Sequence, residues 1–104
     1  MSKRNETIDA AKDKINNDRA KDYGDALSMH RRIAVGWTQI INMAEHTHGS
    51  ITPAHVCLMM DWLKTCRLCV TIDHDDSWED KIGYSALGSE ISEAWEKEIP
   101  RPPF

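Results

Sequence analysis

The sequence predicts an all-α protein: a compact bundle of four main helices in a single domain that covers residues 1–104. Three observations support this class. Apolar residues recur at spacings of three and four in several segments, as on one face of a helix. No segment shows the sustained period-two alternation of a half-buried strand. Capping and breaking residues separate the segments. We expect residues 1–6 and 99–104 to be loose tails.

The first helix is predicted over residues 7–21. Thr7 is a suitable N-cap, and an acidic residue, Asp9, follows in the first turn. The apolar stripe is weak and consists of Ile8, Ala11 and Ile15, so we expect light packing. Tyr23-Gly24 ends the pattern, since glycine commonly follows a helix end.

The second helix is predicted over residues 25–46, opening near Asp25. Its residues at spacings of three and four form an amphipathic pattern: Leu27, Ile33, Ala34, Trp37, Ile40, Ile41 and Ala44. The following residues, 46–50, have the composition of a loop.

The third helix, predicted over residues 53–71, has the clearest start. Thr52 offers a capping hydroxyl, and Pro53 occupies the first helical position, where its missing N–H is not needed. The helix is apolar nearly all round, so we expect it to be central and to touch several others. Cys66-x-x-Cys69 lies within it and is interpreted as packing rather than as a redox or zinc pair.

The fourth helix is predicted over residues 77–98, after a polar turn at 73–77. Its stripe contains Tyr84, Leu87, Ile91 and Ala94 or Trp95. The final residues, PRPPF, cannot continue a helix because proline lacks the N–H and clashes with the preceding turn.

Composition excludes several classes of protein. The net charge of −4 and the pI near 5.7 argue against non-specific DNA binding, which usually shows a basic surface. No apolar run approaches the roughly 18 residues of a membrane span, and the N-terminus has no apolar secretory region. Three cysteines without an export signal indicate reduced thiols in a cytoplasm.

Two cations on the apolar third helix are candidate ligand contacts. Asp61, Lys64 and Arg67 follow one another at intervals of three, on one side of the helix. A buried cation is costly unless it is paired or meets an anion. Lys64 and Arg67 are therefore either in salt bridges, to Asp61 or to a carboxylate of the fourth helix, or donors for a phosphate.

The fourth helix carries Asp76, Asp80 and Tyr84 at intervals of four. Two carboxylates one turn apart can hold a hydrated Mg²⁺. They can equally be acids favoured by the helix dipole at an N-terminus. His46-x-His48, together with His74 or Asp75, could form a transition-metal site, or the two histidines could be solvated loop residues.

The four tryptophans are many for 104 residues. Most are expected in the core or at an interface, and their number predicts a homo-oligomer. Trp37 is the candidate for stacking on a base. No motif of nucleophilic catalysis and no glycine-rich phosphate loop is present.

Taken in order, these residues resemble a family of small phage and prophage proteins related to the nucleotide-modification-associated domain family. The resemblance covers roughly residues 18–92. It runs through residues 21–25, 33–34, 37, 51–53, 58–60, 63–64, 67–68, 76–78, 80, 83–88 and 90–91. The chain is also distantly similar to the all-α nucleotide pyrophosphohydrolases. Those enzymes hold Mg²⁺ with a Glu-Glu-x-x-Glu helix, which this sequence lacks.

The resemblance implies a helical module in the host bacterial cytoplasm that acts on or binds nucleotides. Together with the spacing it predicts a cleft formed by Lys21, Tyr23, Gly24, Trp37, Lys64, Arg67, Asp80 and Tyr84. The first interpretation is a phage-encoded module that binds a nucleotide or nucleotide-derived small molecule without catalysis, either in nucleotide metabolism or to sequester a host signal. A Mg²⁺-dependent pyrophosphohydrolase, with Asp76 and Asp80 as metal ligands, is the second. A structural partner of itself or of a host protein is the third.

Overall fold

The computed structural model describes residues 2–19 and 25–98. It contains four α-helices: α1 (Lys3–Asp13), α2 (Ala26–His48), α3 (Pro53–Val70) and α4 (Asp75–Glu98). A π-helical segment, Lys14–Arg19, continues α1. The all-α class and the four predicted helices are confirmed, and the described residues contain no strand.

Helix α1 begins earlier than predicted, because Ser2 rather than Thr7 is its N-cap. The Ser2 side chain accepts a hydrogen bond from the Asn5 backbone N–H at 3.2 Å. Thr7 lies inside the helix, where its hydroxyl donates to the Lys3 carbonyl at 2.9 Å. Both are hydroxyl residues before a possible helix, so spacing alone did not separate them. None of the residues 2–17 is buried, in agreement with the weak apolar stripe.

Helix α2 begins as predicted and ends two residues later than predicted. Asp25 is its N-cap and accepts from the Ser28 N–H at 2.8 Å, a bond that lowers the pKa of Asp25. The helix continues through His48 because Gly49 takes the left-handed conformation, φ 84°, that terminates it.

Helix α3 begins at the predicted threonine–proline pair and is the central helix. Its N-terminus is closed by a capping box in which His55 takes the position usually held by glutamate or glutamine. The Nδ1 atom of His55 accepts the Thr52 backbone N–H at 2.9 Å and lies 2.8 Å from the Thr52 hydroxyl.

Helix α3 packs against α2 on one side and against α4 on the other, while no Cα atom of α2 lies within 8 Å of one of α4. Met29, Ile33 and Cys66 form the core between α2 and α3, and Trp37, Trp62 and Leu63 pack around them. Gly36 of α2 admits the Trp62 indole, whose N–H donates to the Arg32 carbonyl at 3.1 Å. The three helices therefore form one layer.

The contact between α3 and α4 is close where Cys57 meets Gly88. A Cβ atom at position 88 would lie 3.2 Å from the Cβ atom of Cys57. Cys57 and Cys66 are buried, while Cys69 is exposed, and all three thiols are free. Burial, and to a lesser extent the neighbouring Cys69, raise the pKa of the Cys66 thiol. A raised pKa disfavours the reactive thiolate, which agrees with the interpretation of packing.

Candidate functional site

Two ion pairs cross the contact between α3 and α4. The ammonium of Lys64 lies 3.0 Å from a carboxylate oxygen of Asp80. The ammonium of Lys81 donates to both carboxylate oxygens of Asp61, at 2.9 and 3.0 Å, and to the Thr65 hydroxyl at 2.6 Å. Each helix therefore contributes one cation and one carboxylate, and the four charges balance within the layer.

Arg67 joins the end of α3 to the turn before α4. Its Nη2 donates to Nε2 of His74 at 2.8 Å. Because a guanidinium has only donors, Nε2 is the acceptor in this bond, and on the other side of the ring Nδ1 lies 3.3 Å from the backbone N of Ser77. Nδ1 lies 2.9 Å from the hydroxyl of Ser77, which is fully buried. These contacts connect the end of α3, the 71–74 turn and the start of α4.

A groove of about 230 Å³ runs along the α3–α4 contact. Its wall combines a carboxylate (Asp61), a phenol (Tyr84) and two hydroxyls (Ser85 and Ser89) with apolar surface from Ala54, Cys57, Leu58 and Gly88. Because Lys81 is bonded to Asp61, an ammonium stands beside this carboxylate. The groove therefore offers hydrogen-bond acceptors, donors and an apolar floor next to one cation.

A second hollow of about 240 Å³ lies where α2 ends and α3 begins. Two imidazoles, those of His48 and His55, meet edge to face with ring centroids 5.2 Å apart. Ser92, Trp95 and Glu96 of α4 complete the lining with Thr52, Ala54 and Leu58. Burial, followed by the proximity of His48, lowers the pKa of His55.

The structure brings together only part of the predicted cleft. Lys64 and Asp80 are in direct contact with each other, and Tyr84, one turn after Asp80, lines the groove. Arg67 bonds to His74. For Lys64, the sequence left open either a salt bridge to the fourth helix or a contact with a phosphate. The structure shows the salt bridge, to Asp80. Lys21, Tyr23 and Gly24 lie outside the described residues, so their part in a site stays a prediction.

Trp37 is part of the contact between α2 and α3. Its indole N–H donates to the Met59 carbonyl at 2.7 Å, and its ring packs against the core of α2 and α3. A base contact by Trp37 stays a prediction.

The two candidate magnesium ligands, Asp76 and Asp80, have different surroundings. Asp76 is exposed in the first turn of α4, and Asp80 holds Lys64. Within residues 2–19 and 25–98, no three side chains of His, Cys, Asp or Glu converge on a point suited to a metal ion.

Sequence reasoning missed Ser85 and Ser89 as wall residues, and it missed Lys81 as the partner of Asp61. A signal was present, because Lys81, Ser85, Ser89 and Ser92 recur at three and four residues along α4. The apolar stripe drew attention to the opposite side of the helix. The role of His55 was also missed, although it stands three residues after the cap Thr52, where a capping box places its acceptor.

Comparison with known proteins places the chain in a family. A domain family described as Domain of unknown function (DUF6378) matches residues 6–92. The chain belongs to this family of uncharacterised phage proteins. It is 32% identical over 96 residues to the Gene 55 protein of Mycobacterium phage L5, a match that covers 92% of this chain. The chain spans 58% of the length of that relative.

No solved structure matches the chain significantly. Among the described residues, no helix is both long enough and apolar enough to span a bilayer.

Proposed function

We propose that this phage-family protein is a helical module that binds a nucleotide or a nucleotide-derived ligand in the groove between α3 and α4. The observation that supports it best is the composition of the groove wall. A carboxylate, a phenol and two hydroxyls line an apolar hollow of about 230 Å³, with the Lys81 ammonium beside the carboxylate. Concave, mainly apolar sites with a few polar groups are the usual form of small-molecule sites.

The chemistry of the groove suits a nucleoside more closely than it suits an isolated phosphate. Asp61 can accept hydrogen bonds from base N–H or ribose hydroxyl groups, and Ser85 and Ser89 can donate or accept. Leu58 and Tyr84 offer apolar and aromatic surface to a ring. Lys81 is the cation next to the groove, and its charge is already neutralised by Asp61. A ligand with little negative charge therefore suits the groove better than one with several phosphates.

This proposal keeps Tyr84 from the predicted cleft and replaces Asp80 by Asp61 as the carboxylate. Both carboxylates are paired with a lysine, but Asp61 lines the groove and Asp80 is not among the lining residues. Whether the protein acts in nucleotide metabolism or sequesters a host signal would follow from the identity of the ligand.

The test is a thermal-shift series with nucleosides, nucleotides and cyclic nucleotides, with and without Mg²⁺. A ligand at about 100 times its Kd stabilises the folded state by about 2.7 kcal/mol, a shift of several degrees in a domain of this size. Ser85→Leu, which fills the groove, is expected to abolish the shift. Ala86→Leu changes an exposed neighbour outside the groove wall and is the matched control.

Two results would contradict the proposal: no shift with any compound at millimolar concentration, or equal shifts in the Ser85→Leu and Ala86→Leu variants. A shift that requires Mg²⁺ and is accompanied by pyrophosphate release would identify the pyrophosphohydrolase alternative instead.

A further inference from the structure

The groove between α3 and α4 and the hollow at the start of α3 are neighbours. Both are lined by Ala54 and Leu58, so the same two side chains form a wall of each. Leu58 is 56% exposed, so the wall that the two spaces share lies at the surface of the protein. A ligand that passes Leu58 can therefore enter both spaces.

The lining residues of α4 lie on one side of that helix. Those of the groove are at positions 84, 85, 88 and 89, and those of the hollow are at 92, 95 and 96. At 100° per residue, all of them fall within an arc of about 140°. From Tyr84 to Glu96 the helix rises by about 18 Å at 1.5 Å per residue. The groove and the hollow therefore follow one another along a single face, hereafter the two-part site.

The two parts of this site carry the same kinds of side chain. The groove has a carboxylate, a phenol and two hydroxyls, from Asp61, Tyr84, Ser85 and Ser89. The hollow has a carboxylate, an indole and two hydroxyls, from Glu96, Trp95, Ser92 and Thr52. Carboxylates accept hydrogen bonds from base N–H and ribose hydroxyl groups, and aromatic rings stack on bases. Each part is therefore suited to one nucleoside.

We propose that the two-part site binds one dinucleotide, in which two nucleosides are joined by a single phosphodiester. One nucleoside lies in the groove and the other in the hollow. This inference rests on the proposed function and names the class of its ligand. The joining phosphate passes Ser89 and Ser92, which lie three residues apart on α4 where the two parts meet and whose hydroxyls can donate to its oxygens.

The charge of the two-part site favours one phosphodiester over a chain of phosphates. Among the described residues, no lysine or arginine lines either part, and Lys81 beside the groove is neutralised by Asp61. A phosphodiester carries one negative charge, which neutral hydroxyl donors can hold, whereas a triphosphate needs cations. The net charge of −4 also disfavours a long nucleic-acid strand, whose binding depends on lysine and arginine.

Joining two nucleosides makes a weak second part useful. When two groups are connected by a short flexible linker, the second one binds at an effective concentration of about 1 mM. If the hollow binds a free nucleoside with a Kd of about 0.1 mM, the joined ligand binds about tenfold more tightly than the nucleoside in the groove alone.

The first experiment is isothermal titration calorimetry of the full chain with dinucleoside monophosphates and with their nucleosides. The compounds are the four with two identical bases, each in its ribo and deoxyribo form. At least one is expected to bind with one molecule per chain and a Kd about tenfold below that of its nucleoside. If no nucleoside or dinucleotide binds, the proposed function fails as well. If a nucleoside binds and its dinucleotide binds no more tightly, the dinucleotide inference alone is overturned.

The second experiment repeats the titration with variants of the hollow. Ser92→Leu fills the hollow, and Glu96→Ala removes its carboxylate at an exposed residue that the fold does not need. Both are expected to raise the Kd of the dinucleotide about tenfold and to leave that of the nucleoside unchanged. Ala94→Leu, at an exposed residue outside both linings, is the matched control and keeps both Kd values. An unchanged dinucleotide Kd in Ser92→Leu and Glu96→Ala overturns the assignment of the hollow.

Discussion

At the scale of single residues, two glycines of this protein have opposite surroundings although both lie inside helices. The space next to Gly36 is filled by the Trp62 indole, and the space next to Gly83 is open. Helical glycine is normally a weak point, since alanine favours the helix by about 1 kcal/mol. The contact with Trp62 explains why position 36 has no side chain.

We predict that Gly36→Ala lowers the stability by about 1–3 kcal/mol, because the added Cβ would overlap the Trp62 ring and force the α2–α3 contact to open. Gly83→Ala is the matched control and should be neutral or stabilising. Thermal unfolding at one fixed protein concentration measures both. Equal melting temperatures for the two variants would contradict the described contact.

His55 makes the start of α3 sensitive to pH. Its pKa is lowered from the ordinary value of 6.5, so the unfolded chain binds the proton more tightly than the folded chain. The contribution of His55 to stability is therefore fully present above pH 6.5 and is lost as the pH falls through the folded-state pKa. Protonation of Nδ1 would also remove the acceptor for the Thr52 N–H.

We predict that the melting temperature falls between pH 7.5 and pH 5, and that His55→Gln reduces this fall. Glutamine keeps an acceptor in the capping box but does not titrate. His46→Gln, at an exposed residue of α2, is the control and should keep the full pH dependence associated with His55. If the wild type and His55→Gln show the same dependence of melting temperature on pH, the cap at His55 is not the cause of that dependence.

At the scale of helices, the α3–α4 pair combines complementary charges with close apolar packing. Asp61 and Lys81 are partly buried, with side chains 31% and 23% exposed, and Lys81 has a third partner in Thr65. Glu93 and Lys97 form an exposed pair within α4, with side chains 73% and 74% exposed. Burial and extra hydrogen bonds strengthen an ion pair, while exposure to water screens it.

We predict a coupling free energy of about 1 kcal/mol for Asp61 and Lys81 in a double-mutant cycle with Asn and Met. The same cycle on Glu93 and Lys97 should give at most about 0.5 kcal/mol. Urea unfolding of the single and double variants provides the values. A larger coupling free energy for Glu93 and Lys97 than for Asp61 and Lys81 would contradict a stabilising role for the ion pair between α3 and α4.

At the scale of the whole molecule, stability should be distributed unevenly along the chain. Helix α3 has neighbours on both sides, α2 and α4 have one each, and the described part of α1 with its π-helical continuation packs on none of them. Regions with few buried contacts open at a lower free energy than the core.

We predict that hydrogen exchange of backbone amides is slowest in α3, intermediate in α2 and α4, and fastest in residues 3–17. The measurement is exchange at neutral pH followed by mass spectrometry or by NMR. Protection in residues 3–17 equal to that in α3 would indicate that α1 packs against the layer in solution.

Local sequence patterns were sufficient to predict the helices of this protein and most of their ends. The signals are local: Asp25 caps α2, Thr52-Pro53 opens α3, and apolar spacing identifies the central helix. Local signals failed where two suitable residues competed, as with Ser2 and Thr7. The end of α2 was predicted two residues early, because residues 46–50 were assigned to a loop by composition although Gly49 is the residue that ends the helix.

The pairing of the charges, and the side of α3 that faces each neighbour, could not be predicted without the packed structure. Spacing placed Lys64, Arg67 and Asp61 on one helix but could not show that Asp80 would take Lys64 and that Lys81 would take Asp61. Those choices depend on the register of two antiparallel helices, which the Cys57–Gly88 contact accompanies. Register is a relation between segments distant in sequence, so no local pattern contains it.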